Sequence, residues 1–260
     1  MVVTVSLARG AVRAAADSHS RTSAETTARI QKAGLEPPAT LRRFSEWFRK
    51  RRAIHEKEAL LFVFGMIGRR RGGFSVYCPQ FEETDKGWNL GIHALHVEFS
   101  PGKIDTIEGS KLPVRISGHA LERMFQRTNT IEWVIIRECL AGATLFLNAV
   151  AAAYVASGYK QCAIPAEKGM LVGQIADGIL HLRTFLPDSQ LNPRWRSLYE
   201  DLLTFSARNS DSINGAALAP DDAASDSFGE LLKSGRYVWL QRAYVPGDDP
   251  MEDAWRSKEQ

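Results

Sequence analysis

The segment GMLVGQIADGILHLRTFLP, residues 169–187, decides the fold class of this chain. Two apolar runs, 169–176 and 178–187, are separated by the turn signal ADG. Apolar runs on either side of a short turn predict an antiparallel β-hairpin. QCAIPA, residues 161–166, lies before the turn signal EKG and predicts a third strand. The sequence therefore predicts a mostly antiparallel sheet in the second half of the chain.

The sequence on both sides of this hairpin predicts further strands and helices. The apolar run at 59–68, the turn RRRGG and the run FSVYC together predict a second hairpin. Residues 89–99 and 111–117 predict two more strands. Helical spacing of apolar residues, with caps and breakers, predicts helices at about 23–33, 39–57, 118–127, 130–142, 143–157 and 192–205. We expect an α+β fold with N-terminal helices, central helices and a mostly antiparallel sheet.

Composition divides the chain into four parts. We expect a mobile N-terminal arm with a short helix at 1–38 and an α+β core domain at 39–205. A linker or mobile loop follows at 206–227, where aromatic residues are absent. The C-terminal segment, 228–260, should pack on the core, with a last strand at 236–245. An organelle transit peptide is the alternative interpretation of the N-terminal composition.

The overall composition favours a soluble globular protein in a reducing compartment, and we expect it to be cytoplasmic. Hydrophobic residues make up 44% and charged residues 24% of the chain, and the net charge is +3. The three cysteines lack C-x-x-C spacing, which favours structural thiols over a zinc site. No apolar run predicts a membrane span, so we expect no membrane partner.

Several cofactor and metal classes are also excluded by missing motifs. The sequence has no P-loop, G-x-G-x-x-G, G-x-S-x-G or H-E-x-x-H string. His93, His96 and Glu98 are close in sequence, but only His96 and Glu98 share a face of the predicted strand. Two ligands do not make a metal site. We therefore expect neither a cofactor nor a metal.

The string SGHALERMFQR, residues 117–127, carries the clearest candidate site. On a helix, Arg123 and Arg127 lie about 40° and 80° around the axis from His119, beside an apolar face. Ser117 is a good N-cap and places His119 in the first turn, where the helix dipole favours an anion. The stripe predicts a phosphate site; the alternative is an ordinary solvated helix face.

The same string resembles the H-x-x-x-R-x-x-x-R helix of some bacterial toxin-type ribonucleases, of the barnase, EndoU, colicin and RelE-like class. Over residues 113–187 the element order is also similar, and LHLRTFLP (180–187) resembles a late strand of the x-x-T-x-x-P kind. Such proteins are small α+β domains that cut RNA without a metal. The resemblance implies that His119 is a general acid or base, that Arg123 and Arg127 bind the phosphate, and that Thr184 positions it.

Alternation along 179–186 offers a second possibility for the late strand. Leu180, Leu182, Thr184 and Leu186 would share one face, which makes Thr184 a candidate core residue instead. His181 and Arg183 would lie on the other face and form an alternative catalytic pair. The sequence leaves both possibilities open.

A basic region from residue 42 to residue 71 is the candidate nucleic-acid interface. Ten cations against three acids give it a local charge of +7, and Phe44, Trp47 and Phe48 are interleaved. Such a pattern suits phosphate contacts with base stacking; an acidic protein partner fits equally well, and a solvated face is the simplest alternative. The cations are Arg42, Arg43, Arg49, Lys50, Arg51, Arg52, Lys57, Arg69, Arg70 and Arg71.

These features predict a metal-independent RNA-cleaving or RNA-binding protein of bacterial toxin or effector type; if it cleaves RNA, the enzyme class is endoribonuclease. The alternative is a non-catalytic subunit of a bacterial assembly or defence system that binds nucleic acid or protein through the basic region. A plain structural protein, in which the stripe holds no ligand, is the third hypothesis.

Overall fold

A computed structural model describes residues 2–19, 28, 37–40, 43–55, 59–67, 69–85, 87–218 and 222–242. Over these ranges the chain has an α+β fold with seven α-helices and one seven-stranded sheet, as predicted. The helices are α1 (Val5–Ser18), α2 (Phe44–His55), α3 (Gly118–Arg127), α4 (Trp133–Ala156), α5 (Pro193–Arg208), α6 (Ser210–Ala216) and α7 (Ala223–Lys233). The strands are β1 (Leu61–Met66), β2 (Gly72–Thr84), β3 (Gly87–Ser100), β4 (Lys103–Ser117), β5 (Gln161–Ala166), β6 (Gly169–Ala176) and β7 (Ile179–Pro187).

The sheet consists of two antiparallel meanders joined through one parallel pair. Its strand order is β1-β2-β3-β4-β7-β6-β5, and only β4 and β7 are parallel neighbours among the described strands. α3 and α4 form the crossover from the first meander to the second. Both predicted hairpins are confirmed, as β1–β2 and β6–β7. The parallel pair matters for function because it places the end of β4, where α3 begins, beside the middle of β7.

Helices cover both faces of the first meander, but to different extents. Tyr77 and Ala94 belong to the main core with α4, whereas the adjacent Val76 and Leu95 belong to a second cluster with α2. Because successive strand residues face opposite sides, the two clusters lie on opposite faces of the sheet. In the second cluster, aromatic rings from α2 and β2 contact Phe99, which is fully buried.

α4 is the central helix of the main core. Two helices were predicted over 130–157, but one continuous helix of 24 residues is found. The predicted capping box at Asn129 is wrong, because Asn129 adopts φ 52° and Glu132 precedes the helix without a side-chain cap. In the described part of the chain, α4 alone is long and apolar enough to cross a bilayer, yet 56% of its most apolar window is buried inside the protein.

The N-terminal residues 2–19 are not the weakly ordered arm that composition predicted. Thr4 caps α1, and Ala8, Val12, Ala15 and Ala16 bury one face of this helix against its neighbours. These side chains are small, so the apolar stripe was hard to recognise in the sequence. The helix predicted at 23–33 lies outside the described residues except for Ala28.

The predicted linker at 206–227 is also helical where the structure describes it. α5 continues to Arg208, and α6 and α7 follow it, with Ile213 and Ala224 buried. Alanine and glycine allow these short helices to pack closely beside α4, although they gave the segment a loop-like composition. Residues 219–221 lie outside the described ranges.

The strand predicted at 236–245 is wrong over the residues that can be described. The chain forms a short 3-10 helix, Val238–Gln241, and Tyr237 and Leu240 are buried in the main core. Residues 243–260 lie outside the described ranges.

Candidate functional site

The site is organised around Ser117, where β4 ends and α3 begins. The Ser117 hydroxyl accepts a hydrogen bond from the Ala120 N–H at 3.1 Å and caps the helix, as predicted. The same hydroxyl donates to the Arg183 carbonyl on β7 at 3.1 Å. A Cβ at Gly118 would overlap the Trp88 carbonyl, so glycine is required for α3 to turn away from the sheet at this point.

The face of α3 that packs into the core is the predicted one. Ala120, Leu121, Met124 and Phe125 are fully buried in the main core. His119 is exposed, and Arg123 and Arg127 are half-buried on the neighbouring side. The cationic stripe therefore lies along the outside of α3.

His119 and Arg123 contact each other directly. The Arg123 Nε–H donates to His119 Nε2 at 3.4 Å, a long hydrogen bond that suits a neutral imidazole with Nε2 unprotonated. Partial burial and the charge of Arg123 lower the pKa of His119, and Glu122 opposes this effect. The Arg123 Nη1–H donates to Gln126 Oε1 at 3.2 Å, which holds the guanidinium beside the imidazole.

Arg127 extends the stripe along the end of β7. Its Nη1–H donates to the side-chain oxygen of Gln190, in the 3-10 helix Asp188–Gln190 that follows β7. Burial and the nearby charge of Arg123 lower the pKa of Arg127. The stripe is therefore fixed at both ends, by Ser117 to β7 at the helix start and by Arg127 to the 3-10 helix after β7.

His181 belongs to a second group, on the sheet itself. It is the parallel partner of Arg115 on β4, and burial, Arg115 and Arg183 lower its pKa. Arg115 was not selected from the sequence. It lies between the buried residues Val114 and Ile116, and this alternation placed it on the opposite face from the core.

A β-bulge in β7 changes the alternation that the sequence predicted. Val172 pairs with Thr184 and Gly173 with Leu182, so Arg183 is the extra residue of the bulge. Strict alternation predicted that Phe185 and Leu182 lie on different faces of β7, but both are buried in the main core. The sequence alternative that places Leu182 and Thr184 on one core face is wrong, because the bulge separates them and Thr184 is only half-buried.

An acidic residue holds the cations of the sheet face. Glu82 on β2 binds Lys111 Nζ at 2.5 Å and Arg115 Nη2 at 3.4 Å. The hydrogen bond from Lys111 lowers the pKa of Glu82, against the effect of its partial burial. A phosphate at Arg115 must therefore compete with this carboxylate.

The predicted site residues thus form two groups that meet at Ser117. His119, Arg123 and Arg127 form the group on α3, while His181, Arg183 and Thr184 lie on β7. The partner of His181, Arg115, comes two residues before Ser117, and His119 comes two residues after it. The sheet-face residues Lys111, Arg115 and Glu82, and the α3 anchor Gln190, were missed from the sequence.

The basic region keeps its charge but not its base-stacking residues. Arg43, Arg49, Lys50, Arg52, Arg69, Arg70 and Arg71 are exposed; Lys50 pairs with Glu46, and Arg71 pairs with Glu98. Phe44 and Phe48 are 2% and 3% exposed, so the prediction that bases stack on these two rings is wrong. Trp47 contacts Phe74 and Phe99 within the same cluster. Arg42, Lys57 and the Arg51 side chain lie outside the described part.

No metal-binding group is found in the part of the chain that the structure describes. No three His, Cys, Asp or Glu side chains there are placed to hold a metal ion. Cys78, Cys139 and Cys162 are buried free thiols in three different elements. The reactive groups at the candidate site are therefore imidazole and guanidinium side chains.

Comparisons with protein-family models, with curated proteins and with solved structures find no match to this chain. The resemblance of residues 113–187 to toxin-type ribonucleases therefore stays a prediction.

Proposed function

We propose that this protein binds RNA where α3 meets β7 and cleaves it without a metal ion, as a bacterial toxin or effector ribonuclease. The observation that carries the proposal is the contact between His119 and Arg123 in the first turns of a capped helix. A neutral imidazole, a guanidinium and the positive end of a helix together suit a phosphate group that must exchange a proton.

His119 is the acid–base group in this proposal. With its pKa lowered, the imidazole is neutral near pH 7 and its Nε2 can accept the proton of a ribose 2′-OH. The 2′-oxygen then forms a bond to phosphorus, the bond from phosphorus to the 5′-oxygen breaks, and the proton passes from His119 to the leaving oxygen. The 2′-OH requirement makes RNA, rather than DNA, the substrate.

The arginines bind the phosphate and stabilise its developing charge. Arg123 lies beside the imidazole of His119. When a phosphate binds, the guanidinium gives up its long hydrogen bond to His119 Nε2 and donates to the phosphate oxygens instead. Arg127 adds a second guanidinium on the same stripe. Thr184 and Arg183, on the bulge of β7, are the candidates for positioning the phosphate from the sheet side.

The sheet face offers a path for the neighbouring nucleotides. Arg115 and His181 are adjacent on β4 and β7, and Lys111 lies on the same face because it shares Glu82 with Arg115. His181 remains the alternative acid–base group, with Arg183 as its partner. A cytoplasmic location is part of the proposal, since that is where RNA would be encountered.

Cleavage of total RNA in the presence of EDTA tests this function. Wild type and the control His19→Gln should degrade the RNA, while His119→Ala should leave it intact and His181→Ala should retain activity. Loss of activity in His181→Ala alone would move the acid–base role to the sheet face. If wild type leaves RNA intact, the catalytic proposal fails.

A non-catalytic binding function is the second candidate, and the basic region favours it. Seven exposed cations lie on and near α2 and in the turn before β2, while Phe44 and Phe48 are buried, so binding there would rest mainly on charge. Binding of RNA there should weaken steeply with salt, because each phosphate contact releases counterions. No RNA binding at low salt would favour an acidic protein partner instead.

A further inference from the structure

A separate cavity lies on the α4 side of the sheet, near the ends of β3 and β4 that are remote from Ser117. Its volume is about 230 Å³, and β3, β4, α4, the end of α6 and the start of α7 all line it. A water molecule occupies roughly 30 Å³ of liquid, so the cavity has space for a small organic molecule rather than one ion. The polar residues that line it are His96, Glu98, Thr106, Glu108, Asn148, Asp222 and Ser225.

A buried serine orients His96. The Ser75 hydroxyl is fully buried and donates to the Ala217 carbonyl, and its oxygen lies 2.8 Å from His96 Nδ1, which suits the tautomer that is protonated on Nδ1. The ring also contacts Tyr77 edge-on, with 6.1 Å between centroids. This arrangement leaves the lone pair of His96 Nε2 for the cavity. Burial lowers the pKa of His96, although Glu108 opposes the effect, so the imidazole is an acceptor near neutral pH.

The remaining polar groups are also mainly acceptors. His96 pairs with Glu108, and Glu98 with Thr106, across β3 and β4, so the four side chains share one face. Asn148 Nδ2–H donates to the Ala216 carbonyl at 3.0 Å, which leaves the amide oxygen as its remaining acceptor. Glu98 is paired with Arg71 at the rim. Nearby, the buried Tyr77 hydroxyl has no hydrogen-bond partner among the described residues.

We propose that this cavity binds a small organic cation that carries a primary amine or a guanidinium group. Such a ligand supplies several N–H donors and a positive charge, which match an imidazole nitrogen, an amide oxygen and the carboxylates of Glu108 and Asp222. A metal ion fits less well, because the described residues contain no set of three ligands that could hold one. An anion would be repelled by the acidic side chains that line the cavity.

Isothermal titration of the full chain with agmatine and with putrescine tests the proposal. At least one of them should bind saturably to wild type, and Glu108→Gln and Asp222→Asn should each weaken binding about tenfold. Glu138→Gln, on the exposed side of α4, is the control and should bind like wild type. His119→Ala should also bind normally, so the result is independent of the RNA function.

Two outcomes would overturn the proposal. The first is that neither amine binds. The second is that Glu108→Gln binds as wild type does while its melting temperature shows that it is folded.

Discussion

The hydroxyl of Ser117 joins two elements that are far apart in sequence, because it caps α3 and donates to the Arg183 carbonyl on β7 at 3.1 Å. This single side chain fixes the start of the His119 helix relative to the bulge that presents Arg183. The geometry of the proposed site therefore depends on a residue that need not touch RNA.

Ser117→Ala removes both hydrogen bonds and should lower the free energy of unfolding. Loss of an N-cap costs about 1 kcal/mol, which corresponds to a melting temperature lower by about 2–4 °C for a chain of this size. RNA binding should weaken as well, because α3 loses its connection to β7. Differential scanning calorimetry and binding assays measure the two effects, and Thr204→Ala, at an exposed position of α5, is the control. An unchanged melting temperature would contradict the capping role.

Arg123→Gln should raise the pKa of His119. The guanidinium charge and partial burial both disfavour imidazolium in the folded protein, so removal of the charge shifts the pKa upward, toward its ordinary value. Titration of the His119 ring resonance by NMR measures this shift. Arg208→Gln, at the end of α5, should leave the resonance unchanged. A downward shift in Arg123→Gln would show that the two side chains do not interact as described.

Glu82→Gln should tighten RNA binding rather than weaken it. The carboxylate holds Lys111 and Arg115, and its neutralisation frees both cations for phosphate. Because partly exposed ion pairs contribute up to about 1 kcal/mol, we expect an affinity gain of about threefold at low salt, with a steeper salt dependence. Glu83→Gln, one residue along on β2, is the matched control. Weaker binding in Glu82→Gln would show that the sheet face is not part of the RNA path.

Gly173→Ala should destabilise the bulge in β7. A Cβ at this position would overlap the His181 carbonyl, so β6 and β7 must separate locally. Such overpacking costs about 1–3 kcal/mol. Gly142→Ala is the control on α4, where a Cβ meets nothing within 4 Å, and it should stabilise by about 0.5–1 kcal/mol. Equal stability of the two variants in urea unfolding would contradict the close approach of β6 to His181.

Local patterns predicted the elements that carry the candidate site. α3 begins and ends where its cap and apolar spacing indicated, and the hairpin of β6 and β7 follows from its turn signal. The spacing of apolar residues along a helix or strand indicates which residues face the core, and a serine before a helix indicates where the helix begins. The stripe of His119, Arg123 and Arg127 could therefore be predicted from the sequence alone.

Long-range contacts were not predictable in the same way. The pairing of Arg115 with His181 comes from the parallel contact between β4 and β7, which are separated in the chain by two helices and by β5 and β6. The bulge at Arg183 shifts the alternation by one residue and moves Phe185 into the core. α1 packs mainly through alanines, whose small side chains give a weak periodic pattern although they permit close packing.

The central claim is that His119 moves the proton during RNA cleavage, and one measurement tests it most directly. A 5′-labelled RNA oligonucleotide is incubated in EDTA with wild type, His119→Ala and His19→Gln at equal concentrations. We predict cleavage by wild type and by His19→Gln, no cleavage by folded His119→Ala, and no cleavage of the matched DNA. Equal cleavage by wild type and His119→Ala, or intact RNA with wild type, would contradict the claim.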